Sequence, residues 1–372
     1  MTTARTIDWL ALARIMLRDA GARGVPALAQ LPGMQAHLEL EAAVMGLAAR
    51  GRRVAIVTGF CVAADPPAAE TDGPPGALYL ARALSALSIP VLLISDALGM
   101  PLLRAGCRLW RLDGVELVEF PFETDETDPS ASTERVEAAS SCPKTDAWVD
   151  AFLGQEQGGG LTHLVSIERA GPSHTLQSLA EQQRSGPPPL AEFESEVPAS
   201  SRDVCHNMRG EPIDHCTART HRLFEEARRR VAAIETIGIG DGGNEIGMGK
   251  IAWEVLRAAV AGGPGGRIAC RIATDRLLIG GTSNWAAYTL AVATCAARGR
   301  HDLIAGWGTR RQAELIQVLV DECGAVDGVT RQPSATVDGL PLAEYLDVLA
   351  AIEEQCTKKK GDKSNYLGPN GV

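Results

Sequence analysis

Short apolar runs, each ending in a glycine or a charged residue and each followed by a helical stretch, recur along this chain, and few folds accept that order. RRVAIVTGF (52–60) and IPVLLISDA (89–97) read as buried strands, with GALYLARALSAL (76–87) as the helix between them. CRLWRLDGVELVEFPF (107–122) reads as two short strands about the turn at Asp113-Gly114, and LTHLVSIERAG (161–171) as a further strand. TARTHRLFEEARRRVAAI (217–234) carries apolar residues at helical spacing. Then come ETIGIGDGGNEIG (235–247) as strand and glycine loop, IAWEVLRAAV (251–260) as helix, and RIACRIATDRLLIGG (267–281) as strand and loop. The stretches 283–299 and 342–356 read as helices, and 310–330 as a helix followed by strand-like chain. Strands alternating with helices of this length predict an α/β fold: a mostly parallel sheet with helices on both faces. Ligands of such sheets bind at the carboxyl ends of the strands.

We expect one domain over 1–356, interrupted by an acidic, Ser-rich surface excursion at 123–147 and followed by a polar, disordered tail at 357–372. The segment 185–201, rich in proline, reads as irregular chain. A net charge of −10 argues against nucleic-acid and anionic-membrane partners. No apolar run reaches the roughly 18 residues of a membrane span, and the N-terminus lacks a secretory core. A cytoplasmic protein is expected, or a mitochondrial-matrix one if the source is eukaryotic, and a homo-oligomer is left open. The 9 cysteines are odd in number and contain no CxxC, so they read as reduced thiols in a reducing compartment. Cys205, His206, His215, Cys216 and His221 are zinc-type residues, but their spacing matches no common site.

GIGDGGNEIGMGK (238–250) holds 6 glycines in 13 residues. Gly238, Gly240 and Gly243 formally match a dinucleotide fingerprint, but the strand after them reaches Asp275 well beyond the ~20-residue spacing to the ribose acid. Asp241 inside the loop would repel a pyrophosphate, and a Walker loop fails because Asn244 and Ile251 stand where glycine and Ser/Thr are needed. What remains is exposed backbone N–H, two carboxylates (Asp241, Glu245) and the amide of Asn244. They suit an ammonium group, a proton transfer or a divalent metal; a helix-capping turn is the plainer alternative. Four more loops follow strands or lie near them. ETDGPPGA (70–77) offers Thr71, Asp72 and Gly73, with Asp72 or Thr71 also able to cap the next helix. Glu168-Arg169 offers a guanidinium for a carboxylate, or a surface ion pair. HNMRG supplies Asn207 and Arg209. Asp275 reads as a strand end, and Ser283 or Asn284 as the cap of the following helix. No GxSxG elbow is present.

The ordered strings TGF, ETDGPPGA, IER, NMRG, GIGDGGNEIGMGK, ATD and SNW resemble the D-glutamate cyclase family, specifically its C-terminal domain, over roughly residues 50–300. In the mammalian form a hydro-lyase-like domain precedes this one, and these residues contain no counterpart of it. The resemblance implies a lyase that closes D-glutamate to 5-oxo-D-proline and water, the α-amine attacking the γ-carboxyl carbon. That chemistry needs a base, carboxylate-binding cations, oxyanion donors and a folded substrate. The assignment is Arg169 and Arg209 as carboxylate clamps, Asp241 or Glu245 as base, and the amides of Gly242 and Gly243 as oxyanion donors. Asp72, Asn207 and Asn284 orient the substrate, with Thr71, Gly73, Glu168, Asn244, Asp275 and Ser283 around it. A divalent Mg²⁺ or Mn²⁺, if used, is expected on Asp72, Asp241 and Glu245. The rival reading is a non-catalytic amino-acid or nucleotide sensor in the same cleft.

Overall fold

The six strands of the main sheet are short Val/Ile/Leu-rich runs, as strands covered on both faces require. They are β1 (Val54–Thr58), β2 (Val91–Ser95), β3 (Val115–Glu119), β4 (His163–Ile167), β5 (Glu235–Gly240) and β6 (Arg276–Ile279). Every residue of β1, β2 and β4 is buried, whereas β3 (VELVE) turns Glu116 and Glu119 outward at a sheet edge. All neighbouring pairs are parallel, in the order β3-β2-β1-β4-β5-β6. The computed structural model describes residues 7–22, 24–30, 34–62, 64–123, 142–154, 158–230, 234–260, 264–304 and 307–357.

The longer helices pack around this sheet: α1 (Trp9–Met16), α2 (Ala36–Arg50), α3 (Pro74–Ala86), α4 (Met100–Trp110), α5 (Pro143–Gly154), α6 (His221–Arg230), α7 (Ser283–Ala297), α8 (Thr309–Cys323) and α9 (Leu342–Thr357). Helix α7 is the central one. It is apolar all round (WAAYTLAVATCAA), almost wholly buried, and packs on α2, α3 and α9, as a helix without a polar face must. Helices α4 and α8 pack on each other, and α5 on α6.

The order 3-2-1-4-5-6 places the reversal of winding between β1 and β4, where doubly wound sheets leave a crevice at their carboxyl ends. The expected parallel α/β architecture is therefore present. Four local expectations differ. Residues 107–110 complete α4 rather than form a strand, because Leu102, Leu103, Ala105 and Gly106 bury one face while Arg104 and Arg108 stay exposed. The excursion expected at 123–147 gives way to α5 at Pro143, and its residues 124–141 lie outside those described, as do 358–372 of the tail. The proline-rich segment contains a short helix, Leu190–Glu196. In 267–281 only Arg276–Ile279 is strand.

The cysteines also differ from expectation. Cys61 and Cys216 form a disulfide across a sequence separation of 155, while the other 7 thiols are free. Only the fold brings the segment after β1 beside the turn at Asp214–Cys216, so spacing alone concealed the pair. The same bond removes Cys216 from any zinc set.

Candidate active site

Two polar residues beside the crevice cap each other's helices. Asp72, at the start of α3, accepts from the N–H groups of Ser283 (2.8 Å) and Asn284 (2.9 Å) at the start of α7. Asn284 Oδ1 in return accepts from the N–H groups of Gly73 (3.0 Å) and Gly76 (2.7 Å), and its Nδ2 donates to the Thr71 carbonyl. Each helix thus satisfies the other's orphan donors. Gly73 has φ +94°, and a Cβ there would lie 2.7 Å from Cβ of Glu168, so only glycine fits this turn. The sequence suggested that Asp72 or Thr71 caps its own helix. Instead Asp72 serves α7, Thr282 is the N-cap of α7, and the Thr71 hydroxyl donates to the Thr336 carbonyl.

The glycine loop folds about its own acid. Glu245 is fully buried, and its carboxylate accepts from the backbone N–H of Asp241 (2.9 Å), Gly242 (2.6 Å) and Gly243 (2.7 Å). Those amides therefore already hold an internal carboxylate, and Glu245 is the loop's keystone. No helix starts directly after the loop; the next one begins at Trp253, so the loop is not the N-terminal cap of a helix that follows it. Asn244 is likewise committed, its Nδ2 donating to the His206 carbonyl at 2.7 Å.

Arg169 has a comparable internal role. It is 1% exposed, and its donors reach Thr220 Oγ1 (3.0 Å), the carbonyls of Gly59 (2.7 Å) and Ala218 (2.8 Å), and Asp96 Oδ2 (2.5 Å). It ties β1's exit to the segment before α6, the same two stretches that the Cys61–Cys216 disulfide joins. Asp275 precedes β6 and accepts from Thr236 N and Oγ1 (both 2.8 Å) at the start of β5, at the amino end of the sheet. A charged residue next to an apolar run reads as a strand end in either direction, and here the direction was misread.

A cavity of about 320 Å³ remains, lined among others by the carboxylates of Glu70, Glu168, Asp241 and Asp338, by Asn207 and Asn244, and by Arg209 and Arg331. Asp241 (3% exposed) and Glu168 (6%) come from the ends of β5 and β4. Glu168 has a left-handed φ of +45°, a strained conformation for a non-glycine residue. Ser283 Oγ donates to its Oε2 at 2.5 Å, and Asp241 Oδ2 accepts from Ser283 N at 3.1 Å. Burial, reinforced by Asp241, Glu245, Asp72 and Glu70, holds the Glu168 carboxyl well above its ordinary range. Burial, then Asp338, Asp241 and Glu70, does the same to Asp72. Among the described residues, Asp72, Glu168 and Asp241 bring carboxylate oxygens within 4.8 Å of one another. This trio, all oxygen donors and all buried, fits a hard divalent cation; Glu168 takes the place expected for Glu245.

Asn207, also in the lining, shapes its own turn, accepting from Arg209 N (2.9 Å) and Glu211 N (3.1 Å). The Arg209 side chain is exposed, and Arg331 donates to Glu211 at 3.0 Å. Glu70, Asp338 and Arg331 escaped the sequence reading. The last two sit on a loop from Val326 to Leu340, in which buried Asp327 accepts from the N–H groups of Val329, Thr330 and Gly339. Two Asp-Gly turns, at 327–328 and 338–339, were the available signal for that loop.

A buried polar cavity at the switch point of a doubly wound sheet is a small-molecule site by its placement and lining. The family profile described as D-glutamate cyclase-like, C-terminal, matches residues 12–179 and 195–353, and the chain belongs to that family. D-glutamate cyclase, mitochondrial, of Homo sapiens is 32% identical over 256 residues, covering 65% of this chain and 32% of that protein. The chain thus spans about a third of that relative's length. Among the described residues no helix is long and apolar enough to cross a membrane.

Proposed function

We propose that this cavity binds D-glutamate and closes it to 5-oxo-D-proline. The observation that carries the reading is the mixed charge of its lining: carboxylates for an ammonium group together with arginines for a carboxylate. Family membership supports a cyclase or lyase, and a cavity of about 320 Å³ is of a size for a small amino acid.

In this reading Arg209, with Arg331 beside it, holds a substrate carboxylate by charge-assisted hydrogen bonds. Asp241 accepts a proton from the α-ammonium. The freed amine attacks the γ-carboxyl carbon, a C–N bond forms, and one γ C–O bond breaks. The nitrogen gives up two protons in all, and both leave on the departing oxygen as water, Asp241 returning the one it took. Holding the chain folded makes the attack unimolecular, an advantage worth up to about 7–11 kcal/mol. Asp72, Glu168 and Asp241 would hold a divalent Mg²⁺ or Mn²⁺, which when bound polarises the γ-carboxylate. Glu168 and Ser283 fix the position of the cluster.

The test is incubation of the purified chain with D- and L-glutamate, with and without Mg²⁺ or Mn²⁺, followed by chromatography for 5-oxoproline. Product from D-glutamate supports the reading. Saturable binding without product would favour a sensor.

A further inference from the structure

A second cavity, of about 400 Å³, lies between the end of α4 and the start of α8, lined by Leu109, Trp110, Arg111, Arg310, Arg311 and Glu314. It differs from the carboxylate site in place and in sign. Helix α8 separates them: its N-terminus is at this cavity, and its C-terminus, at Cys323, leads into the 326–340 loop of the other. At 1.5 Å per residue, its 15 residues span about 22 Å.

Three arginines face a single glutamate here, in a chain whose net charge is −10. Many surface arginines of this protein are paired. Arg108, three residues before Arg111, meets Glu322 at 2.5 Å, and Arg104 meets Glu119 at 3.5 Å. Arg111, Arg310 and Arg311 form no ion pair among the described residues. Behind them, Arg82 stacks on Trp307 (4.6 Å) and Trp110 (5.7 Å). Burial, with Arg311 adding like-charge repulsion, lowers the Arg82 pKa. Nη1 of Arg82 and Nε1 of Trp110 are shut off from solvent and have no hydrogen-bond partner among the described residues. Helix α8 also begins at Gly308 with no side-chain cap, adding its positive end to the same spot.

We propose that this cavity is a second binding site, for a phosphate-bearing small molecule. Several guanidinium forks converging on one concavity match the geometry and multiple charge of phosphate oxygens. The indole face of Trp110 offers a surface on which a base can stack. An anion there relieves the repulsion between Arg82 and Arg311 and supplies acceptors to the guanidinium groups of Arg111, Arg310 and Arg311.

The test is calorimetric titration of the full chain, in EDTA, with ATP, AMP and inorganic pyrophosphate. ATP or pyrophosphate is expected to bind, with affinity falling about tenfold or more in Arg310→Ala/Arg311→Ala. Both residues are exposed, and circular dichroism verifies that the variant is folded. Tighter binding of ATP than of pyrophosphate, with its fluorescence change lost in Trp110→Phe, identifies a nucleotide; equal binding identifies a phosphate site alone. Asp241→Asn leaves the affinity unchanged, so the result stands or falls apart from the cyclase reading. No binding up to about 10 mM, well beyond ordinary metabolite affinities, overturns the proposal. So does an affinity unaltered in the double arginine variant, or one abolished by Asp241→Asn.

Discussion

Replacing Arg169 by Met separates a substrate clamp from an internal brace. The side chain is 1% exposed and its guanidinium is occupied by Asp96, Thr220 and two backbone carbonyls. Arg169→Met keeps the apolar stem but leaves the Asp96 carboxylate, among the described residues, with only the N–H groups of Gly99 (3.2 Å) and Ala218 (3.2 Å). Breaking one partner of a buried pair costs about 3–5 kcal/mol, and the stranded carbonyls of Gly59 and Ala218 argue for the upper part of that range. Asp96→Asn is expected to cost less, since it retains shape and one acceptor. In the double variant, Arg169→Met with Asp96→Asn, the loss falls short of the sum by about 2–3 kcal/mol, the coupling expected of directly bonded neighbours. Urea unfolding followed by circular dichroism measures all four proteins. If Arg169→Met costs under about 1 kcal/mol, and the two changes add, the brace does not exist and Arg169 is free to meet a ligand.

Two further outcomes follow from the same geometry. Glu168 has its folded pKa raised above the ordinary carboxylate range, chiefly by burial, so its contribution to stability is present below the unfolded value and lost as pH rises through the folded one. Glu168→Gln should therefore gain stability relative to wild type between pH 5 and pH 8 (about the range of ordinary buffers), and added Mn²⁺ should stabilise wild type but not the variant; parallel melting curves at every pH would refute this. Cys61→Ser/Cys216→Ser should lose about 3–5 kcal/mol, from the chain-entropy cost of a loop of 155 residues, and peptide mapping without reductant should recover the linked peptides; finding all 9 cysteines alkylated would remove the disulfide.

The sheet was legible because parallel buried strands are written as near-continuous apolar runs, as β1 (VAIVT) and β2 (VLLIS) are and, less cleanly, β4 (HLVSI) and β5 (ETIGIG). Periodicity failed where an amphipathic helix ran directly into a strand, at Leu109–Leu112, and where β6 was reduced to four residues. In the site, the residue types were readable but their partners were not. Arg169, Glu245 and Asn284 carry the groups a ligand would want, yet each is already occupied: Arg169 and Asn284 by groups brought from elsewhere in the chain, Glu245 by the amides of its own loop. Burial with satisfied bonds is a tertiary property, and a glycine-rich loop with two acids in it looks the same whether an acid faces the cavity, like Asp241, or turns inward, like Glu245. The cavity kept Asp241, Glu168, Asn207, Arg209 and Asn244, and added Glu70, next to the predicted Thr71 and Asp72, and Arg331 and Asp338 from chain far away in sequence.

The most direct test of the proposed chemistry is the cyclisation rate of Asp241→Asn on D-glutamate, followed by chiral chromatography of 5-oxo-D-proline. The substitution keeps an acceptor for the Ser283 N–H while removing the base, so a folded protein with a rate lower by about 10²–10⁴ is expected. Wild-type turnover by a folded Asp241→Asn protein would contradict the account.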